Sequence, residues 1–537
     1  MGKMNEKIGS LRNNTVLEDG KILDEMTGRI KNSLSGFLRV CVVALFVFFQ
    51  FMLLIALPFV LHQYTVYFYI IVEIASLIVI FILLNDVRSP AYKIAWISIC
   101  LALPIAGELM FLLWGNQNMS GRLSRKLEKI MEHGKEYLEH DEELIKEYEQ
   151  VHPFRSRMSN YLSSEGFPLT KNNQISYFSM GEDAFEAMLK DLEQAEHFIL
   201  INFFIVAEGA IWDAIHDVCV RKIKEGVEVK FAYDDFGAML RTEKHFARKL
   251  RAEGFQVAIF NPIHKYTDKL YMNYRSHQKI VVIDGNIGYT GGFNIADEYA
   301  NLVQRFGVWK DTGIRIVGDA VWGLTVTFLQ MWEVAQEQVC ENFNRYRPTM
   351  TFPENDVYCH VISDGPINNP NNPIEMIYGQ MINYAREYLY VTTPYLIIEK
   401  DMQDALISAV KSGVDVRIIT PYVPDKKSIK LLTNYNYGYL LKNGVRIFEY
   451  LPGFIHAKAI INEEFGIVGT INMDYRSFYL HYENGVWISN KEVVNEIRAD
   501  FDKTFAECKE ITYEEWKARP MKMKIEQAVL NVFSTLL

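Results

Sequence analysis

The chain repeats one order of strands, helices and a short polar motif, and this repeat constrains its fold more than any other feature. The first copy contains, in order, the strand-like segments "HFILINFF", "EGVEVKFAYDD", "GFQVAIFNP" and "HQKIVVIDGNIGYTGGFN". The second copy contains "EYLYVTTPY", "SGVDVRIITP", "GVRIFEY" and "HAKAIINEEFGIVGTIN". In each copy a helical pattern follows the first strand. Four elements matched in one order predict two homologous α/β lobes.

The last segment of each copy carries a histidine and a lysine two residues apart. Because residues i and i+2 of a strand share a face, His277 points the same way as Lys279, and His456 the same way as Lys458. An imidazole attacks phosphorus or moves protons, and a lysine neutralises a phosphoryl oxygen. A single such pair is typical of a solvated strand. Two pairs at matching points of a repeat favour one active site with a nucleophile and an acid.

The two copies differ in the rest of the motif. In the first, a turn brings Asp284 back, glycines allow close backbone approach, and Asn294 offers an amide. In the second, Asn472 repeats the amide, but the segment is one residue shorter and contains no aspartate there. Counting forward from the histidine puts Glu463 at the acid position, and counting back from the asparagine puts Asn462 there. The sequence leaves both alternatives open.

Three apolar runs precede the repeat, at 40–61, 64–84 and 94–114. Each is long enough to cross a bilayer, which takes about 20 helical residues. The first begins too far into the chain for a cleavable signal. We therefore expect three transmembrane helices, a bilayer partner and a multi-pass protein of the cell membrane. Glu73 and Glu108 within the runs are equally consistent with function and with hydrogen bonds between helices.

Basic residues do not fix the side of the membrane on which the repeat lies. One group precedes the first run and places the N-terminus inside: Lys21, Arg29, Lys31 and Arg39. Three crossings would then put the repeat outside. A second group follows the third run and favours the inside: Arg122, Arg125, Lys126 and Lys129.

Composition excludes several other classes. The net charge of -10 argues against nucleic acid as a partner. The six cysteines are scattered, which predicts neither a disulfide framework nor a metal site. The tail at 519–537 has apolar residues at helical spacing and is predicted to be an amphipathic helix, lying on the lobes or on the bilayer.

Several segments carry a family resemblance. "NYRSHQKIVVIDGNIGYTGGFNIADEY" and "GFIHAKAIINEEFGIVGTINMDYRSF" resemble the two HKD motifs of the phospholipase D superfamily. "RSPAYKIAWISICLALPIAGELMFLLWGN" resembles the membrane anchor of bacterial cardiolipin synthases, and "GVWKDTG" and "HYENGV" are also similar to that family. The resemblance covers almost the whole chain after about residue 85 and implies two phospholipase D-like lobes that form one active site.

The resemblance implies a metal-free, cofactor-free phosphatidyl transfer in two steps. One histidine attacks phosphatidylglycerol and releases glycerol, and a second phosphatidylglycerol then takes the phosphatidyl group to give cardiolipin. The N-terminal motif usually supplies the nucleophile, which implies His277 here, with His456 as the general acid and base. The phosphate oxygens would be held by Lys279, Lys458, Asn294 and Asn472.

The resemblance also implies an orienting carboxylate for each histidine, supplied by the opposite lobe. Glu483 matches that position for His277, and Asp311 matches it for His456, although either is also consistent with a surface carboxylate. The motif acid, Asp284 in the first copy, is expected to support its loop. Gln278 stands where arginine is common, and its side chain is expected to face away from the histidine.

Three rival functions share some of these features. A phospholipase D or another phosphatidyltransferase would use every catalytic residue with a different acceptor. A membrane scaffold with a decayed second motif is the non-enzymatic alternative, and a nuclease of the same superfamily suits neither the membrane runs nor the acidic charge.

The sequence predicts six segments along the chain. They are a polar segment at 1–39, a three-helix anchor at 40–114, a helical connector at 115–160, lobes at 161–345 and 346–510, and an amphipathic helix at 511–537.

Overall fold

The computed structural model describes residues 45–46, 48–52, 55–56, 59–60, 62–86, 88–115, 121–262, 273–367 and 371–536. The predicted polar segment at 1–39 lies outside these residues. So does part of the first apolar run, whose described residues are helical.

The first lobe is built on a seven-stranded sheet. Its strands, in spatial order, are Gln174–Phe178, Gly313–Val317, Ile287–Gly291, Ile280–Ile283, Phe198–Phe203, Glu228–Asp234 and Gln256–Phe260. The last three run parallel to one another, and the other neighbours pair antiparallel. The strands with continuous apolar runs are the buried ones at the centre of the sheet, as expected for strands covered on both faces.

The second lobe repeats this order in a larger sheet. Its strands are Leu169–Thr170, Tyr358–Asp364, His481–Ser489, Gly466–Gly469, Ala459–Asn462, Tyr388–Thr392, Asp415–Pro421, Arg446–Tyr450 and Cys508–Ile511. Again three consecutive strands of the path are parallel: Tyr388–Thr392, Asp415–Pro421 and Arg446–Tyr450. The prediction of two homologous α/β lobes is confirmed.

Helices cover the outer faces of both sheets and fill the space between them. The described α-helices are Thr65–Leu84, Pro90–Ala102, Ala106–Met110, Gly121–Lys135, Glu142–Val151, Ser156–Ser164, Gly181–Leu192, Ala210–Lys224, Asp235–Ala238, Phe246–Ala252, Val321–Gln336, Pro373–Tyr384, Lys400–Lys411, Lys427–Lys442, Tyr475–Tyr479, Lys491–Ala506, Tyr513–Lys517 and Met521–Val532. One apolar cluster joins residues of both sheets, including Leu200, Ile280, Ile461 and Val486, so the lobes share a core.

Two short parallel strand pairs cross between the lobes. Val308–Lys310 of the first lobe pairs with Gly453–Ile455 of the second, and Arg275–Ser276 of the first pairs with the start of His481–Ser489. Each pair joins the residues just ahead of one motif histidine to a strand of the other lobe. The cross-lobe pairs therefore fix both histidines at the boundary between the lobes.

The structure does not confirm three spanning helices. Thr65–Leu84, with a mean hydropathy of 2.7, is the one described helix long and apolar enough to cross a membrane. The third run is divided into Pro90–Ala102 and Ala106–Met110, which is followed by the π-helical turn Phe111–Gly115. A proline lies in the break, where its missing N–H and fixed φ interrupt the helix.

The second arm of this divided run folds back on the first. A side chain on Gly107 would place its Cβ 2.6 Å from the carbonyl oxygen of Ile99. The hydroxyl of Ser76 in Thr65–Leu84 donates to the carboxylate of Glu108 in the second arm. Of the two interpretations of Glu108, the structure therefore favours a hydrogen bond between packed helices.

The connector and the tail both pack on the lobes. Gly121–Lys135 lies against Val321–Gln336, where the Gln330 amide donates to the carbonyl of Met131 over 2.9 Å. The predicted amphipathic tail helix forms at Met521–Val532 and lies against Lys427–Lys442.

The close approach at Gly107 makes a testable prediction. Gly107→Ala forces the two arms apart because the clashing atom belongs to the backbone, so we expect a lower melting temperature in detergent. Gly379→Ala is the matched control, since a Cβ there meets no atom of the described residues within 4 Å and alanine favours its helix. A Gly107→Ala protein as stable as this control would show that the arms do not touch.

Candidate active site

The two motif histidines line one cleft of about 420 Å³ at the lobe boundary. His277 follows the cross-lobe strand Arg275–Ser276, and His456 follows Gly453–Ile455. Gly292 lets the second lobe approach the first, since a Cβ there would lie 3.0 Å from the carbonyl oxygen of His456. The structure therefore brings both predicted half-sites together.

Each histidine is held by a buried carboxylate of the opposite lobe. His277 Nδ1 lies 2.9 Å from Glu483 Oε2, and His456 Nδ1 lies 2.6 Å from Asp311 Oδ2. Both carboxylates have no exposed surface, which excludes the surface interpretation of each. When Nδ1–H donates to the carboxylate, Nε2 of each imidazole keeps its lone pair.

The two lysines lie behind the histidines. Lys279 Nζ donates to the carbonyl oxygen of His277 over 2.6 Å, and Lys458 Nζ donates to that of His456. Both lysines are almost completely buried. The predicted i, i+2 relation therefore places two ammonium groups within the same low-dielectric site.

Burial controls the protonation of these groups. It lowers the pKa of His277 and of His456 well below 6.5, and the nearby lysines lower both further. The imidazoles are therefore neutral at pH 7 in the unliganded cleft. Burial also lowers the pKa of Lys279 to about 7 and of Lys458 to about 8. An anionic phosphate in the cleft favours the charged form of all four groups.

The two predicted phosphate-binding asparagines have different surroundings. Both line the cleft. Asn294 Oδ1 accepts from the backbone N–H of Ile205 over 2.9 Å, and its amide donates to the Tyr299 hydroxyl over 2.9 Å. Asn472 Oδ1 is buried and has no hydrogen-bond partner among the described residues. Two hydrogen bonds thus fix the orientation of the Asn294 side chain, whereas the Asn472 side chain is more available to a ligand.

Asp284 lies outside the cleft lining. Its carboxylate accepts from the backbone N–H groups of Glu196, His197 and Phe198 over 2.8, 2.8 and 2.7 Å. These residues begin the neighbouring strand Phe198–Phe203. The acid of the first motif therefore ties its turn to the sheet.

Glu463 does the same in the second lobe. Its carboxylate accepts from the backbone N–H groups of Arg386 and Glu387 over 2.9 and 3.4 Å, just ahead of the strand Tyr388–Thr392. Of the two alternatives, Glu463 is thus the structural counterpart of Asp284. It too lies outside the cleft lining, although the motif grouped both acids with the catalytic residues.

Asn462 explains how the shorter turn closes. Its side-chain Oδ1 accepts from the backbone N–H groups of Glu464 and Phe465 over 3.0 and 2.8 Å, and its own N–H donates to the carbonyl of Phe465. In the first lobe three residues separate the paired Ile283 and Ile287. In the second, two residues separate Asn462 from its partner. The missing residue belongs to this hairpin loop, and the motif residues in the cleft are unaffected.

His481 is a cleft residue beside the histidine–carboxylate pair that the sequence did not predict. His481 Nδ1 lies 3.4 Å from Glu483 Oε1, and its ring centroid lies 5.3 Å from that of His277. Its i, i+2 spacing from Glu483 was the available signal. Gln278, as expected, points elsewhere, and its amide donates to Ser363.

The same cluster contains residue types that bind metal ions. Ligand atoms of His277, His481 and Glu483 lie within 4.8 Å of one another. However, Arg476 Nε lies 3.3 Å from His481 Nε2, and the ammonium group of Lys279 also acts on His277. Adjacent positive charge opposes a bound cation, so we assign no metal to these residues.

The rim of the cleft is basic although the chain is acidic overall. Five cationic side chains line it: Arg241, Arg275, Arg305, Lys426 and Arg476. A neutral histidine pair, two buried lysines and this rim form an electrostatic site for an anionic phosphodiester. The fold and the site together define a two-lobed phosphoryl-transfer enzyme with a pair of histidines in its cleft.

Comparison with known proteins names the family. The model described as "Cardiolipin synthase, PLD-like domain" matches residues 188–309 and 378–505, and "Phospholipase_D-nuclease N-terminal" matches 74–116. The chain is 31% identical to the cardiolipin synthase of Geobacillus kaustophilus (84% of this chain, 90% of the relative). It is also 31% identical to the major cardiolipin synthase ClsA of Bacillus subtilis (88% and 98%). The chain belongs to the cardiolipin synthases of the phospholipase D superfamily and is a phosphatidyltransferase.

Two further comparisons are consistent with this. An uncharacterised protein of Streptococcus mutans is 36% identical over 85% of this chain and 98% of its own length. The fold resembles the crystal structure of phosphatidylserine synthase from Haemophilus influenzae, with a TM-score of 0.55 over 71% of this chain and 98% of that one. At 13% identity the latter likeness concerns the fold alone.

The crossed carboxylates make a prediction about activity. Glu483→Gln and Asp311→Asn keep the shape of each side chain but remove the charge that orients and stabilises the imidazole. We expect each to lower the rate of phosphatidyl transfer by about 10- to 100-fold. Glu463→Gln, outside the cleft, serves as the control and should stay within a few-fold of the parent. Full activity in both cleft variants would contradict this role.

The lysines make a prediction about pH. An ammonium group loses its charge as the pH rises through its pKa, so kcat/KM should fall between about pH 7 and pH 8. Lys279→Arg and Lys458→Arg stay protonated and should move this fall to higher pH in a transfer assay run across pH. If neither variant moves the alkaline fall in kcat/KM, that fall arises from the titration of another group.

Proposed function

We propose that the protein is a cardiolipin synthase that transfers a phosphatidyl group between two phosphatidylglycerol molecules through a phosphatidyl-histidine. The observation that carries the proposal is the pair of histidines in one cleft, each held by a carboxylate of the other lobe. One imidazole alone serves as nucleophile or as acid. Two in one cleft supply both roles without a metal.

In the first step His277 Nε2 attacks the phosphorus of the donor. A nitrogen–phosphorus bond forms, the bond from phosphorus to the glycerol oxygen breaks, and His456 donates the proton that the leaving glycerol needs. Glu483 stabilises the positive charge that His277 acquires. His277 takes this role because it belongs to the N-terminal motif, which usually supplies the nucleophile in this family.

In the second step His456, now neutral, accepts the proton of the terminal hydroxyl of the acceptor. That oxygen attacks phosphorus, the nitrogen–phosphorus bond breaks, and His277 returns to its starting form. The products are cardiolipin and glycerol. Asp311 keeps His456 in the tautomer that both proton transfers require.

The lysines and asparagines act on the phosphate oxygens. Lys279 and Lys458 neutralise the negative charge that develops on the phosphoryl oxygens, and Asn294 and Asn472 donate amide hydrogens from opposite lobes. The bound phosphate also raises the pKa of His456 relative to the empty cleft, because it offsets the positive charge of the lysines. This promotes the protonated acid that the first step uses.

We also propose that the protein is a multi-pass membrane protein whose spanning segments are 40–61 and Thr65–Leu84. Hydropathy supports both, and the described part of the first is helical with exposed apolar side chains such as Phe48, Phe59 and Val60. An anchored enzyme meets both lipid substrates in the plane of the bilayer.

One assay tests the reaction. Purified protein in detergent, incubated with phosphatidylglycerol and a chelator, should yield cardiolipin and glycerol. His277→Ala and His456→Ala should abolish both products, whereas His216→Ala, which removes a histidine paired with Glu253 outside the cleft, should not. Phosphatidic acid as the main product would indicate a hydrolase. No product from the parent protein would favour a scaffold.

A further inference from the structure

The divided third run is a helical hairpin whose two ends meet. The Arg88 guanidinium, just ahead of the first arm, donates to the carbonyl oxygen of Gly115 over 2.9 Å. The hydroxyl of Tyr92 donates to the same carbonyl. Because Gly115 ends the second arm, the first and last residues of this hairpin lie side by side.

The first arm is too short to cross a bilayer. Pro90–Ala102 has 13 residues, which at 1.5 Å each makes about 20 Å. The hydrocarbon core is about 30 Å thick. A segment that is too short to cross and that returns to its starting level dips into the bilayer from one side.

The tip of the hairpin satisfies its polar groups within the anchor. The backbone N–H of Ala106, which starts the second arm, donates to Gln50 Oε1 over 2.9 Å, and Gln50 is only 3% exposed. Glu108 accepts from the hydroxyl of Ser76. Broken helices at membrane depth require such partners, because lipid offers none.

The open end of the hairpin, where Arg88 meets Gly115, is its base, and this base packs on the catalytic lobes. Ser89 donates to the carboxylate of Glu399. Trp96 and Phe111 belong to one apolar cluster with Tyr475 and Leu480 of the second lobe. Tyr475 also lines the cleft. The base of the hairpin and the cleft are therefore neighbours.

We propose that 90–115 is a re-entrant hairpin and that the catalytic lobes consequently lie on the cytoplasmic leaflet, a proposal that rests on the two spanning segments proposed above. Two crossings return the chain to the side on which it began. The basic residues at 21–39 and at 122–129 then lie on one side, whereas three crossings would separate them. The link at 62–64 contains neither lysine nor arginine, as expected for the outer side.

We infer that the C-terminal helix forms a second contact with this leaflet. It presents an exposed apolar stripe, which comprises Met521, Ile525, Val529 and Val532. Its other side packs on Lys427–Lys442, and the turn Ser534–Leu536 that follows it packs on Pro90–Ala102. The stripe is thus continuous with the hairpin base, and Lys522 and Lys524 flank it. These features match an anionic bilayer surface.

Side-specific labelling tests the placement of the lobes without any assay of activity. His62 is exposed in the outer link, and Ser412 is exposed on the second lobe. With a membrane-impermeant maleimide on intact cells, we expect His62→Cys to be labelled above the parent chain and Ser412→Cys to react only after permeabilisation. Labelling of Ser412→Cys in intact cells would overturn the proposal. It would make the hairpin a third crossing.

Lipid quenching tests the stripe in the full chain reconstituted into vesicles of brominated phosphatidylglycerol. Val529→Trp should add fluorescence that brominated lipid quenches, relative to the parent chain. Val339→Trp is the matched control, since Val339 is 52% exposed on the first lobe and lies outside the stripe. Equal, weak quenching of both variants would overturn the contact. If Ile525→Cys then cross-linked to itself, the stripe would join two copies of the chain.

Discussion

The structure depends on two hydrogen bonds between imidazole and carboxylate, each of which joins one lobe to the other. Glu483 and Asp311 have no exposed surface, so each needs the partner that the opposite lobe supplies. Leaving a buried acceptor without its hydrogen-bond donor costs about 1–3 kcal/mol. Neither lobe therefore completes its own site. The cross-lobe strands and the shared apolar core serve to keep these two pairs aligned.

Burial of these pairs also determines the chemistry. Removal from water keeps both imidazoles neutral and brings the pKa of each lysine close to neutral pH, so the protonation of the lysines depends on the charge that the cleft holds. A bound phosphodiester supplies negative charge, which favours the protonated lysines and the protonated His456 that the proposed first step uses. The basic rim attracts such a substrate, and the helical hairpin at 90–115 packs against Tyr475, which lines the cleft.

Much of the site was predictable because its residues recur in a repeat. The spacing of His277 and Lys279 specified one strand face, and the matching pair in the second copy specified a shared cleft. The acid of the second motif was less predictable. Counting from either end of the shortened segment chose different residues, and the backbone N–H groups of Arg386 and Glu387 that identify Glu463 come from a distant strand. His481 was missed because its partner relation to His277 exists only across the lobes.

By itself the sequence determined the two α/β lobes, the doubled histidine and lysine motif and the apolar anchor, because periodicity and repetition are properties of neighbouring residues. Hydropathy at 94–114 measured composition and length, and it predicted a third crossing. Only the tertiary structure decided that this run turns back: Gly107 permits the close return, and Gln50 and Ser76 satisfy the polar groups at the turn. These partners come from other segments, so no local pattern contains them. The same long-range contacts also give each histidine the carboxylate of the opposite lobe.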